Sequence, residues 1–152
     1  MSTQKKISEL TAKTTSVSHT DIFVCSQLSD GVYTSKKITG AQIFPYKIYT
    51  TTLSQSSTSN PTVSGTFSQL TSTMTWLRSS AGTYTIQCSA NEFSASNTYV
   101  YITLSGTSNL GSYVRYTRDS VSTITIYTYN SSDTLTDGIL NNASFEIKVI
   151  NY

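Results

Sequence analysis

Apolar and polar residues alternate with a period of two through most of the second half of this chain. In Gly82-Thr83-Tyr84-Thr85-Ile86-Gln87-Cys88, residues Tyr84, Ile86 and Cys88 fall on one side and Thr83, Thr85 and Gln87 on the other. In Thr98–Leu104, Val100, Ile102 and Leu104 oppose Tyr99, Tyr101 and Thr103. In Thr123–Tyr129, Ile124 and Ile126 oppose Thr125, Tyr127 and Tyr129. Successive side chains of a strand point to opposite faces, so each stretch predicts a half-buried β-strand. Met74–Arg78, Tyr113–Thr117 and Phe145–Val149 complete the set. Asn91, Ser105-Gly106, Asn109, Asn130–Ser132 and Asn141-Asn142 supply the breaks. Strands at this spacing with polar turns predict an antiparallel β-sandwich, jelly-roll-like in kind.

The first third reads differently. Gln4–Ala12 suits a short arm with Ile7 and Leu10 as apolar contacts, too short and polar to be stable alone. Asp21–Gln27 predicts a strand, Ser29-Asp30-Gly31 a turn and Val32–Lys37 the returning strand of a hairpin. Thr39 suits the N-cap of a brief helical turn through Ile43, stopped before Pro45. A hairpin of this kind has almost no core and is marginal in water. It therefore needs a partner, either another subunit or a surface on which it docks. Ile48–Leu53 reads as a further strand or an extended connector. The polar run Ser54–Asn60 ending at Pro61 is the best boundary in the chain. The expected organisation is an all-β protein with a small N-terminal β-hairpin anchor segment (1–47), a connector (48–60) and a sandwich domain (61–152).

Composition agrees with strands and removes several functions. Charged residues are 12% of the 152, about half the share usual in globular domains. Ser and Thr fill the gap, at roughly a third of the chain, and 11 Tyr and 5 Phe argue against disorder. A net charge of +2 is too small for nucleic-acid binding of the usual electrostatic kind. Six of the seven lysines lie in residues 1–47, giving the front end a mild preference for an acidic surface. Met1–Thr20 lacks the apolar core of a signal peptide, so synthesis in a cytosol is expected. No apolar run approaches the ~18 residues that span a membrane. Cys25 and Cys88 each sit in an apolar strand, where a free thiol behaves as a small hydrophobe.

Chemistry is scarce. The single histidine, His19, precedes the first strand, with no arrangement suggesting a catalytic triad, and one His with two separated Cys gives no zinc spacing. Asp133 and Asp137 share a loop, but two carboxylates fall short of the six or more oxygens calcium takes. Neither a catalytic residue, a metal nor a cofactor is expected. The tyrosines form the candidate binding constellation. Tyr99 and Tyr101 share one strand face, Tyr127 and Tyr129 another, and Arg115 lies nearby. Such rows either pack against a neighbouring subunit or stack on a sugar, and subunit packing is the favoured reading.

Lys6-Ile7-Ser8-Glu9-Leu10-Thr11, then Asp21-Ile22-Phe23-Val24, then Ser35-Lys36-Lys37-Ile38-Thr39 resembles the N-terminal segment of bacteriophage fibre and virion appendage proteins. The likeness is greatest to those of phages infecting Bacteroidota, including the crAss-like group. Gly82–Ile86, Tyr99–Ile102 and Phe145–Val149 are similar to strands of short fibre-tip sandwiches. The resemblance implies a front segment anchored to the capsid or another virion protein and a C-terminal module projecting from the virion surface as a homotrimer. Ile7, Leu10, Ile22, Val24, Lys36, Lys37 and Ile38 then become the anchor contacts. The chain has no repetitive shaft, which favours a short head fibre or decoration protein. A tail tip binding a host-surface glycan is the alternative, and a depolymerase the least favoured.

Overall fold

The computed structural model describes residues 22–29, 31–39, 43, 45–106 and 109–150. Ile7, Leu10 and His19 lie outside them, as does most of the helical turn expected before Pro45. The protein is nearly all β. It divides into two compact units, residues 1–44 and 45–152.

In the first unit, β1 (Ile22–Ser29) and β2 (Val32–Thr39) pair antiparallel, with Ile22 opposite Thr39 and Val24 opposite Lys37. Opposed residues share a face, so Ile22, Val24 and Lys37 lie on one side of the pair and Lys36 and Ile38 on the other.

Among the described residues, the second unit holds eight strands: β3 (Tyr46–Ser54), β4 (Thr62–Ser68), β5 (Met74–Ser80), β6 (Thr83–Cys88), β7 (Thr98–Thr103), β8 (Tyr113–Arg118), β9 (Thr123–Tyr129) and β10 (Ala143–Ile150). They form two antiparallel four-stranded sheets, ordered β4-β3-β10-β7 and β5-β6-β9-β8. Consecutive strands β9 and β10 lie in opposite sheets. Each lies between two strands from earlier in the chain, β9 between β6 and β8, β10 between β3 and β7. The sheets pack face to face as the expected sandwich.

The alternation in the sequence is the alternation of burial. Tyr84, Ile86, Ile124, Ile126 and Trp76 from one sheet meet Tyr49, Leu53, Phe145, Ile147 and Val149 from the other, closed at the ends by Leu70, Phe93 and Leu140. The Trp76 ring meets Phe145 edge-on across the core, with centroids 4.7 Å apart. Each fully buried side chain of this size contributes about 1.5–3 kcal/mol. Cys88 is free and buried among them.

Two parts of the expected organisation need correction. Residues 48–60 are not a connector. Tyr46–Ser54 is a central strand, hydrogen-bonded to β10 on one side and β4 on the other. The polar run after it is a pinned loop, in which Gln55, 1% exposed, donates to the Ser57 and Ser59 carbonyls and accepts from the Gly138 N–H. The second unit consequently starts at residue 45, not 61. The alternation of β3 is masked because Thr51 points inward, its hydroxyl satisfied by the Ser64 carbonyl at 3.0 Å and by Thr66 at 2.9 Å. Strand β4 had no counterpart in the pattern. All seven of its residues are exposed, so it lacks the buried face that produces alternation.

Candidate functional site

The predicted tyrosines do not form one site. Tyr99 and Tyr101 lie on the outer face of the β4-β3-β10-β7 sheet, 44% and 53% exposed. Tyr127 and Tyr129 lie on the outer face of the other sheet, both half-buried. The period of two separates both pairs from the core, and the topology then points them in opposite directions.

On the first face, the Lys148 ammonium sits 5.4 Å from the Tyr101 ring centroid and 5.5 Å from that of Tyr46. It pairs with Glu146 at 3.1 Å. That hydrogen bond and charge hold the Lys148 pKa above its usual value. Lys148 is directly opposite Tyr99 on β7, and Glu146 opposite Tyr101. The sequence pattern missed Tyr46 and Lys148 because they reach this cluster from strands distant in the chain. The signal was present in Glu146 and Lys148, opposite charges at successive outward positions of β10.

On the second face, Tyr113 stacks on Tyr129, with centroids 4.9 Å apart and planes 13° from parallel. The Arg115 guanidinium lies 5.3 and 5.7 Å from the two rings. Arg115 stands opposite Tyr127 in the ladder, so the structure does bring these predicted residues together and adds Tyr113. The Tyr113 hydroxyl donates to Asp133 at 2.9 Å, which raises its pKa. Beside them runs a row of threonines, in which Thr85 opposes Thr125 and Thr125 opposes Thr117. Asp119 ties this row together by accepting from the hydroxyls of both Thr117 and Thr125.

A third feature lies between the sheets. Strand β7 ends one sheet and β8 the other, and between these free edges is an open groove of about 600 Å3. Its lining includes Ile102, Leu104 and Val114 together with Tyr101, Tyr113 and Tyr116. Tyr116 shares the inward-facing parity of Val114, yet is 45% exposed. A second, more polar cavity of about 340 Å3 is lined by residues including Lys47, Asn91, Glu92 and Asn97.

The carboxylates of this unit hold the framework. Asp137 accepts from Arg78 Nε at 3.0 Å and Nη2 at 2.8 Å, from the Gly82 N–H at 3.0 Å and from the Tyr84 hydroxyl at 2.7 Å. The Arg78 hydrogen bonds, followed by those from Tyr84 and Gly82, outweigh burial and lower its pKa to about 2. Burial and the bond to Asp137 push the Tyr84 hydroxyl well above its ordinary range. Glu92 Oε1 accepts from the backbone and hydroxyl groups of both Thr71 and Ser72. Burial alone would raise its pKa, but these donors and Lys47 hold it below the usual value. Among the described residues, no group of three or more His, Cys, Asp or Glu could hold a metal ion.

The anchor residues within the described set are outward. Ile22 and Val24 are 58% and 74% exposed, Lys36 and Lys37 are exposed and Ile38 is half-buried. They do not share one face of the pair. No family model, no curated protein and no solved structure matches the chain.

Proposed function

We propose that the protein is a non-enzymatic structural component of a bacteriophage virion, a short trimeric head fibre or capsid decoration protein. Its first unit docks on a capsid or other virion protein, and its sandwich projects from the virion surface. The observation that carries this reading is the contrast in how the two units are built. A two-stranded sheet is marginal by itself, and this one bears Ile22 and Val24 exposed on the same face as Lys37. The sandwich, by comparison, owns a complete core. A unit that exposes apolar residues beside lysines is suited to a partner surface of mixed apolar and acidic character. The structural work of Asp137, Glu92, Asp119 and Asp133 supports a role without chemistry. So does the likeness of the front segment to virion appendage proteins.

Removing residues 1–44 tests the reading, because the second unit is left whole. The truncated protein is expected to fold and to be lost from particles. Incorporation at the full-length level would overturn the docking role.

The exposed Tyr99 and Tyr101 beside Lys148 favour one alternative, a tip that stacks on a host-surface glycan. Glycan-array binding that disappears with Tyr101→Ala would replace the leading reading with this one.

A further inference from the structure

The polar cavity of about 340 Å3 draws its lining from four segments of the second unit. Lys47 comes from β3, Thr71 from the turn before β5, Asn91, Glu92 and Asn97 from the loop before β7, and Val149 from β10. Lys47 and Val149 stand opposite one another where β3 begins and β10 ends, so the cavity lies at one end of the sandwich. The loop that forms most of its wall is pinned. Asn97 Nδ2 donates to the Ile150 carbonyl at 3.0 Å, and the Ile150 N–H donates to the Asn97 carbonyl at 2.9 Å. The Phe93 N–H donates to the Val121 carbonyl at 2.8 Å. A wall held in this way needs little ordering when a ligand arrives.

Glu92 uses its two oxygens unequally. Its side chain is only 8% exposed. Oε1 accepts four hydrogen bonds from Thr71 and Ser72, whereas Oε2 accepts none among the described residues. Oε2 lies 3.9 Å from the Lys47 ammonium, beyond the roughly 2.7–2.9 Å of a charge-assisted hydrogen bond. A carboxylate oxygen only accepts, and an ammonium only donates. A hydroxyl does both, and one placed about 2.8 Å from each atom fits the gap. Asn91 is exposed on the same lining and its amide offers a further donor and acceptor. The opposite charges of Lys47 and Glu92 favour neither an anion nor a cation, because each would meet its own sign. Val149 gives the lining an apolar patch suited to the C–H face of a ring. The volume is at the lower end of the roughly 300–1,000 Å3 of small-molecule sites.

We propose that this cavity binds a neutral ligand with vicinal hydroxyls, a single pyranose unit in size. Lys47 donates to one hydroxyl, Glu92 Oε2 accepts from that hydroxyl or its neighbour, and Asn91 engages the next. The site goes beyond the structural role proposed above and does not depend on it. It is also separate from stacking at Tyr99 and Tyr101, neither of which lines the cavity.

Amide NMR of the full chain, titrated with the methyl pyranosides of glucose, galactose and mannose, tests it. At least one sugar is expected to shift the Thr71, Ser72, Asn91 and Glu92 amides saturably, with a Kd on the order of 1 mM. Lys47→Met and Asn91→Ala should each weaken that binding about tenfold, which is about 1.4 kcal/mol, with thermal unfolding retained. Asn91→Ala, a change in an exposed loop, keeps the test available if Lys47→Met fails to fold. No saturable shift with any of the three sugars overturns the site, as does binding that the folded variants leave intact. Tighter binding of acetate or of ethylammonium at the same amides overturns the neutral ligand. Shifts confined to β7 and lost with Tyr101→Ala overturn the cavity and favour stacking on the outer face. Lactose, titrated in parallel, separates a site that takes the terminal ring of a glycan from one that admits only a free monosaccharide, and binding of either class supports the proposal. Particle incorporation judges the docking of residues 1–44 separately.

Discussion

The bulged and the regular sides of the sandwich solve the same problem in opposite ways. Both end in strands with unpaired main-chain groups. On the β4–β5 side the register is broken and the turn after β5 is clasped from within, although every residue of β4 is exposed. Asp137 collects Arg78, Gly82 and Tyr84, and the Thr128 N–H donates to the Gly82 carbonyl at 2.8 Å. The β7–β8 side keeps its register and is tied by Asp119, which accepts from Thr117 and Thr125, and by Asp133, which accepts from the Tyr113 hydroxyl. Each edge leaves an inward-facing side chain half in water, Val63 at 46% and Tyr116 at 45%, so the two sides differ in register and in the buried carboxylate that holds the turn after β5.

The strongest way to break this comparison is Gly82→Ala. Gly82 has φ +62°, and a Cβ there would meet the Thr136 nitrogen and lie 2.7 Å from the Thr128 carbonyl oxygen. Backbone cannot yield as a side-chain tip can, so a loss of more than about 3 kcal/mol is expected in urea denaturation. A tolerated substitution would show that the clasp is loose. Next comes Asp137→Ala, which strands Arg78 and the Tyr84 hydroxyl in a partly buried site. A loss of about 2–4 kcal/mol is expected at neutral pH.

The same group sets an acid limit. Its pKa of about 2 when folded lies below the ordinary 3.8. Its contribution is therefore present above pH ~4 and disappears as pH falls toward 2. After solvent screening this amounts to about 1–2 kcal/mol. Glu92, also lowered, adds to the decline in the same direction. The midpoint of thermal unfolding should drop across this window, and the drop should be smaller in Asp137→Asn.

Gly65→Ala sharpens the comparison further. Gly65 has φ +60°, close to that of Gly82, but nothing lies within 4 Å of its would-be Cβ. The cost should be only that of a left-handed backbone for an L-residue, about 1–2 kcal/mol. The gap between the two glycine variants then measures the steric part of the clasp. The smallest effect is expected from Tyr99→Ala, an outer-face change that should alter stability by less than about 0.5 kcal/mol. A larger loss would mean that the outer face contributes to the fold.

How much of this was legible follows from burial. Strands β6, β7, β9 and β10 were visible because each has one buried face, and Tyr84, Ile86, Ile124, Ile126, Phe145, Ile147 and Val149 alternate accordingly. Strand β3 was ambiguous because inward Thr51 and outward Ile48 blur its two faces. Strand β4 was hidden because an edge strand with no buried residue needs no pattern. The Asp137 clasp joins residues more than fifty positions apart, and no local spacing announces it. The tyrosine rows were readable as outward, but whether they shared a site depended on sheet order, which alternation cannot express.

The threonine row joined through Asp119 has one more consequence. Hydroxyls make up much of that face, Arg115 and Asp119 are its charges, and charged residues are only 12% of the chain. Electrostatic forces between exposed charges are the ones dissolved salt extinguishes. A sandwich poor in exposed charge has little of that force to lose, so it should hold its shape alike in dilute and in saline fluid.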